Sequence, residues 1–215
     1  MKRTRVKICG ITNVEDARCA VEAGTDALGF VFFSGSKRFI EPEKAAEIIS
    51  KVPSLVACVG VFVNTPMGEV DRIVKLTRIS AVQFHGDESP EFVRLCPYPS
   101  YKAFRVTDGF SFESIKTYPS DTFLLEPYAE GEFGGTGNAM DWTIASRARE
   151  YGNLILAGGL SPDNIEDAIT TVRPYAVDVN SGVECSPGKK DHDRIEELFQ
   201  ILDTMRKKFN RETVC

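Results

Sequence analysis

Two histidines, His85 and His192, are all that this 215-residue chain offers a nitrogen-ligated metal. Its six cysteines (Cys9, Cys19, Cys58, Cys96, Cys185 and Cys215) are scattered, with no Cys-x-x-Cys. Zinc sites and dithiol redox motifs are therefore not expected, and no acidic cluster has calcium-loop spacing. Two histidines are also too few for a His-based metal site. No apolar run is long enough to span a bilayer. The basic start, Met1-Lys2-Arg3-Thr4-Arg5, leads into a strand rather than into the apolar stretch of an export signal. A disulfide framework is accordingly not expected, and the expected location is cytoplasmic. Lys and Arg number 26 against 31 Asp and Glu, a net charge of -5. With no basic stripe interleaved with aromatics, neither nucleic acid nor an anionic membrane is an expected partner. The remaining composition, 42% hydrophobic and 27% charged, is that of a folded globular chain. It suits one domain over residues 1–215, monomer or homodimer, that handles a small molecule.

What the chain has is alternation. Apolar runs at Val6–Cys9, Ala27–Phe32, Ala57–Val63, Ala81–Phe84, Tyr101–Arg105, Phe123–Glu126, Leu154–Ala157 and Ala176–Asn180 read as strands, and stretches of helical spacing follow them. Several helices carry start signals: Asn13 before Val14, Pro42 with Glu43, Ser89-Pro90-Glu91, Asp141 before Trp142, and Ser161-Pro162-Asp163-Asn164. Gly24 stands where the first helix should end. The last helix, from about Asp191, should bury Ile195, Leu198, Phe199 and Leu202. Eight strand-helix units of roughly 25 residues predict parallel strands joined by crossovers. They fit a closed (β/α)8 barrel, with an open doubly wound sheet as the alternative.

In such a barrel the chemistry sits at the strand C-termini. Strand one brings Cys9 there, strand four Gln83 and His85, and strand six Glu126. Strand seven runs into Gly158-Gly159-Leu160 and strand eight into Ser181-Gly182-Val183-Glu184. Gly158, Gly159, Ser181 and Gly182 let backbone N–H groups approach an anion, so a phosphorylated ligand is expected there. The loop after strand two supplies Ser36-Lys37-Arg38, and the loop after strand six Gly131 and Gly134-Gly135-Thr136-Gly137. Lys7 and Cys9 share one face of strand one, as Asp178 and Asn180 share one face of strand eight. An inward Lys7 needs an acid, and Asp178 on the neighbouring strand is the candidate. The ammonium is also expected to favour the Cys9 thiolate. A carboxyl that closes an apolar strand, as Glu126 does, is partly desolvated, the setting in which carboxyls become useful acids.

This ordered set, with Lys7-Ile8-Cys9-Gly10-Ile11-Thr12, Gly60-Val61-Phe62-Val63-Asn64, Val82-Gln83-Phe84-His85-Gly86 and Pro187-Gly188-Lys189-Lys190-Asp191, resembles the phosphoribosylanthranilate isomerase family nearly end to end. The resemblance implies a cofactor-free (β/α)8 enzyme of tryptophan biosynthesis that performs an Amadori rearrangement of N-(5′-phosphoribosyl)anthranilate. It implies Cys9 as general base, Arg38 on the anthranilate carboxylate, and Gln83 and His85 lining the cavity. Two positions depart from the family pattern: Glu126 stands where the acid is usually aspartate, and Asn180 where serine is usual. A sugar isomerase of histidine biosynthesis, the nearest rival, would use an aspartate pair. A barrel that only binds phosphate would lack the base or the acid.

Overall fold

Runs of Val, Ile, Leu and Phe that are apolar on both faces fold only where both faces are covered, as in a parallel sheet wrapped by helices. The computed structural model describes residues 3–107, 109–127 and 141–212, with side chains to 208. Its strands are β1 (Arg5–Ile8), β2 (Ala27–Val31), β3 (Ala57–Phe62), β4 (Ala81–Phe84), β5 (Ser100–Val106), β6 (Thr122–Pro127), β7 (Asn153–Leu156) and β8 (Ala176–Val179). They pair in sequence order, all parallel, and close into a barrel. The open sheet is thereby excluded. Closure is made by β1 on β8, with Arg5 opposite Ala176 and Lys7 opposite Asp178.

Around the barrel lie α1 (Val14–Ala23), α2 (Pro42–Ile49), α3 (Met67–Thr77), α4 (Pro90–Arg94), α5 (Trp142–Ala148), α6 (Ile165–Val172) and α7 (His192–Glu212). Their starts follow the local chemistry. The side chains of Asn13, Ser89 and Asp141 accept from backbone N–H groups of Asp16, Phe92 and Thr143, and Gly24 closes α1 with φ 104°. Two features differ from the sequence reading. A 3-10 turn, Phe112–Thr117, replaces a helix between β5 and β6. A small hairpin, β9 (Glu184–Ser186) against β10 (Lys189–Lys190), follows β8. Its strands are too short for any periodicity to show, and only the Pro187-Gly188 turn marks it.

Period-two alternation sorts the strand residues into two sets. Ile8, Leu28, Phe30, Val82, Phe84, Phe123, Leu125, Leu154, Leu156 and Val177 point outward to the helices and are completely or almost completely buried. Each such side chain contributes about 1.5–3 kcal/mol by leaving water. Val59, Tyr101, Ala103, Leu124, Ile155 and Ala176 fill the barrel interior. Above that apolar layer the inward positions turn polar: Lys7, Gln83, Glu126 and Asp178 are all buried. No helix among the described residues is long and apolar enough to cross a membrane.

Candidate active site

The turn from apolar to polar marks the floor of a cavity at the C-terminal mouth, with about 680 Å³ of empty space counted to its opening. Cys9, Arg38, Gln83, His85, Glu126 and Asp178 all line it, and so do Gly158, Gly159, Asn180 and Ser181. The residues singled out by strand position thus converge on one space. Gly182 stands behind it. A Cβ there would collide with the carbonyl of Leu160, so this glycine is what lets the β8 turn nest against the β7 loop. Gly158 and Gly159 both adopt positive φ, 91° and 63°. The glycine-rich loop at 131 and 134–137 lies outside the described residues, as does Cys215.

Lys7 points inward, and its Nζ lies 2.8 Å from Asp178 Oδ2, both side chains at or below 8% exposure. Burial alone would lower the ammonium's pKa. The Asp178 carboxylate outweighs that and raises it, so Lys7 stays charged. The second carboxylate oxygen, Asp178 Oδ1, is buried with no hydrogen-bond partner among the described residues.

Lys7 favours the Cys9 thiolate, as expected, but other influences outweigh it. The Cys9 thiol is buried, and its pKa is raised, first by burial and then by the Asp178 charge, against the opposing pull of Lys7. The ammonium works in the expected direction but is already neutralised by its own carboxylate. The net effect of its surroundings is to disfavour the thiolate. Cys9 and Lys7 share their space with Gly29 of β2. A Cβ on that residue would lie 2.6 Å from Cys9 Sγ and 3.0 Å from Lys7 Nζ.

Glu126 is 5% exposed and lies 2.7 Å from His85 Nε2 through Oε1. The other ring nitrogen, His85 Nδ1, is 2.6 Å from Gln83 Nε2, and the Tyr101 hydroxyl donates to Gln83 Oε1 at 2.9 Å. Four side chains from β4, β5, β6 and the β4 end thus form one hydrogen-bonded row that ends on the carboxyl.

Arg38, from the loop after β2, is only 11% exposed. Its Nε and Nη2 donate to both oxygens of Glu184 at 2.7–3.1 Å. Glu184 Oε1 also accepts from Lys190 Nζ at 3.0 Å and from the Gly188 N–H at 3.2 Å. Burial alone would raise the Glu184 carboxyl, but Arg38 and Lys190 outweigh that and hold it below the usual range. Lys190 is completely buried, and burial lowers its pKa against the pull of Glu184. Its other acceptors are the backbone oxygen and Oδ1 of Asn180, at 3.2 and 3.0 Å. Two cations thus share one carboxylate at the mouth.

Tyr101, Glu184, Lys190 and Gly29 are the residues that sequence reasoning passed over as functional. Gly29 had a signal: a glycine inside a strand marks close approach. Tyr101 had one only once the register was known, because it lies directly opposite Gln83. His192, read as part of a helix start, opens α7 and pairs with Asp16 at 2.8 Å, away from the cavity. No group of three or more metal-ligating side chains occurs among the described residues.

A closed (β/α)8 barrel with a thiol, a histidine-bound carboxyl and a partly buried arginine at its C-terminal mouth is an enzyme's architecture. A family model described as N-(5'phosphoribosyl)anthranilate (PRA) isomerase matches residues 6–201. The chain is 50% identical over 196 residues to the N-(5'-phosphoribosyl)anthranilate isomerase of Geobacter metallireducens, covering 91% of this chain and 97% of that one. The crystal structure of phosphoribosyl anthranilate isomerase from Thermus thermophilus superposes with a TM-score of 0.87 at 38% identity, covering 94% of this chain and 100% of that one. A second solved phosphoribosyl anthranilate isomerase, in complex with reduced 1-(o-carboxyphenylamino)-1-deoxyribulose 5-phosphate, has a TM-score of 0.80 at 38% identity over 94% and 99% of the chains. The chain belongs to the N-(5'-phosphoribosyl)anthranilate isomerase family. It is an isomerase of tryptophan biosynthesis.

Proposed function

We propose that the chain converts N-(5′-phosphoribosyl)anthranilate to 1-(2-carboxyphenylamino)-1-deoxyribulose 5-phosphate, with Glu126 as general acid and Cys9 as general base. The observation that carries this reading is the convergence of Cys9 and Glu126 on one cavity that also holds Arg38 and the Gly158-Gly159 loop. The name of the Geobacter relative and the ligand of the solved complex support the substrate.

In this reading Gly158, Gly159, Ser181 and Gly182 hold the 5′-phosphate through backbone N–H groups. Arg38 meets the anthranilate carboxylate with the edge that Glu184 leaves uncovered, and Asp178 Oδ1 accepts from a ribose hydroxyl. Gln83 and His85 line the wall. Glu126 gives its proton to the ribose ring oxygen as the C1′–O4′ bond breaks, and the nitrogen lone pair forms the iminium. Cys9 removes the C2′ proton, and that bond's electrons neutralise the iminium to an enolamine. The enol then passes its proton on as C1′ is protonated, leaving the ketone. A neutral thiol is a weak base. Lys7 and the positive iminium developing beside it are the charges that favour the thiolate when it is needed.

Substrate fluorescence, lost as phosphoribosylanthranilate is consumed, tests the assignment. Cys9→Ala and Glu126→Gln should each lower turnover by about 10²–10⁴-fold while a product analogue still binds. Wild-type turnover in either variant removes that residue from its role.

A further inference from the structure

We infer that Gln83, backed by Tyr101, is a positioning residue that holds the His85 ring with its proton on Nε2, so that the ring donates to Glu126 Oε1 and leaves Oε2 to carry the acid proton. The inference rests on the reading of Glu126 as general acid and goes beyond it, because neither Gln83 nor Tyr101 handles the reacting proton.

The row is made by the fold. Val82 and Phe84 turn outward into the helix-facing core, so Gln83 between them must turn inward. Tyr101 is its register partner on β5 and belongs to the interior layer. His85 follows β4 and reaches Glu126 on β6, a strand that β4 does not touch. The imidazole therefore bridges the gap across β5.

The direction of the row follows from counting donors and acceptors. Tyr101 is 7% exposed, and the bond to Gln83 is the one hydrogen bond its hydroxyl makes among the described residues. Burial raises the phenol's pKa, so the hydroxyl keeps its proton and is a donor. It donates to Gln83 Oε1, which turns the amide nitrogen toward His85 Nδ1 and makes that ring nitrogen the acceptor. The ring proton is then on Nε2, 2.7 Å from Glu126 Oε1. The reversed row would bury the tyrosine proton with no acceptor. It would also set a lone pair of Nε2 against the ionised carboxylate that Glu126 becomes after giving up its proton. The observed direction stabilises that carboxylate and fixes which oxygen faces the substrate. Glu126 is one methylene longer than aspartate, and a second anchor on Oε1 restricts the extra torsion this brings.

With only two histidines in the chain, long-range ¹H–¹⁵N spectra read the tautomer directly, and a His192→Gln variant assigns the signals. Wild type near neutral pH should show His85 protonated on Nε2 alone. Gln83→Leu should mix the two tautomers and lower kcat roughly tenfold or more, with KM within about threefold of wild type. Tyr101→Phe should give a smaller change in the same two readouts. Wild-type His85 protonated on Nδ1, or Gln83→Leu with unchanged tautomer and unchanged kcat, would overturn the inference. The wild-type spectrum decides even if Gln83→Leu does not fold. Full turnover by Glu126→Gln would instead remove the acid assignment, a result distinguishable because it leaves the His85 spectrum of the wild type as it is.

Discussion

Glu184 takes the Arg38 guanidinium by one edge, with Nη2 at 2.7 Å and Nε at 3.0 and 3.1 Å from its two oxygens. Among the described residues Nη1 makes no such bond, and Arg38 lines the cavity. The carboxylate also tethers the buried ammonium of Lys190. It sets the orientation of the arginine and at the same time keeps two cations from facing each other unpaired.

Glu184→Gln should therefore act on binding more than on chemistry. KM should rise about tenfold with kcat nearly unchanged, read from steady-state kinetics, because a free arginine must be ordered by the substrate. Stability should fall by on the order of 3 kcal/mol in urea unfolding, since buried Lys190 and partly buried Arg38 lose their shared anion. The wild-type carboxyl is held below its ordinary range. Its contribution is present above the unfolded-state value of about 4.3 and is lost as pH falls through the folded one. The variant lacks that term, so its stability should decline less steeply on acidification.

Lys7→Met should strand Asp178 as a buried carboxylate and cost about 3–5 kcal/mol. Lys7→Met combined with Asp178→Asn should recover much of that loss, a coupling that a double-mutant cycle in urea measures. Additive losses would show that the two groups do not stabilise one another. Because the ammonium's pKa is raised, the pair's contribution is whole below the unfolded lysine value of about 10.4 and fades only above it. Alkaline unfolding of wild type should accordingly be late.

Gly29→Ala should damage turnover while leaving the barrel folded. The new methyl would stand 2.6 Å from Cys9 Sγ, and neither sulfur nor Lys7 can yield without leaving its place in the cavity. A drop of roughly tenfold to a hundredfold in kcat is expected from displacement of the base. The accompanying loss of stability should be about 1–3 kcal/mol. Kinetics and thermal melts on the same preparation separate the two effects.

Alkylation checks the state of the thiol. In unliganded protein at neutral pH, iodoacetamide should label exposed Cys185 and leave Cys9 largely untouched. Labelling of Cys9 should climb only above the ordinary thiol value of about 8.5. Peptide mapping by mass spectrometry resolves the two sites. Rapid labelling of Cys9 at pH 7 would contradict a buried, neutral sulfur.

The barrel was legible because eight apolar runs recur at roughly even spacing and several of them are followed by a helix start, such as Asn13, Ser89 and Asp141. The Lys7–Asp178 pair was legible for a similar reason: closure makes strands one and eight neighbours, and an inward lysine demands an anion. The protonation state of Cys9 was not. It depends on how deeply the sulfur lies and on whether Lys7 is already spent on Asp178, neither of which a linear pattern encodes. The row from Tyr101 to Glu126 was legible only in its members Gln83, His85 and Glu126. Its connection needs the register of β4 on β5 and the reach of an imidazole over an intervening strand. Glu184 was visible as part of a motif, but its partner Arg38 is 146 residues away in the chain. Nothing local says which cation a carboxylate will choose.

The ammonium of Lys7 and the carboxylate that neutralises it are separated by 171 positions. A ribosome makes the first in β1 and the second only when it reaches β8, close to the end of its work. Until then an inward Lys7 has no Asp178 to pair with, and burying its strand would leave a cation without its anion. A chain that ends before β8 lacks the one carboxylate that lets Lys7 turn inward as a cation.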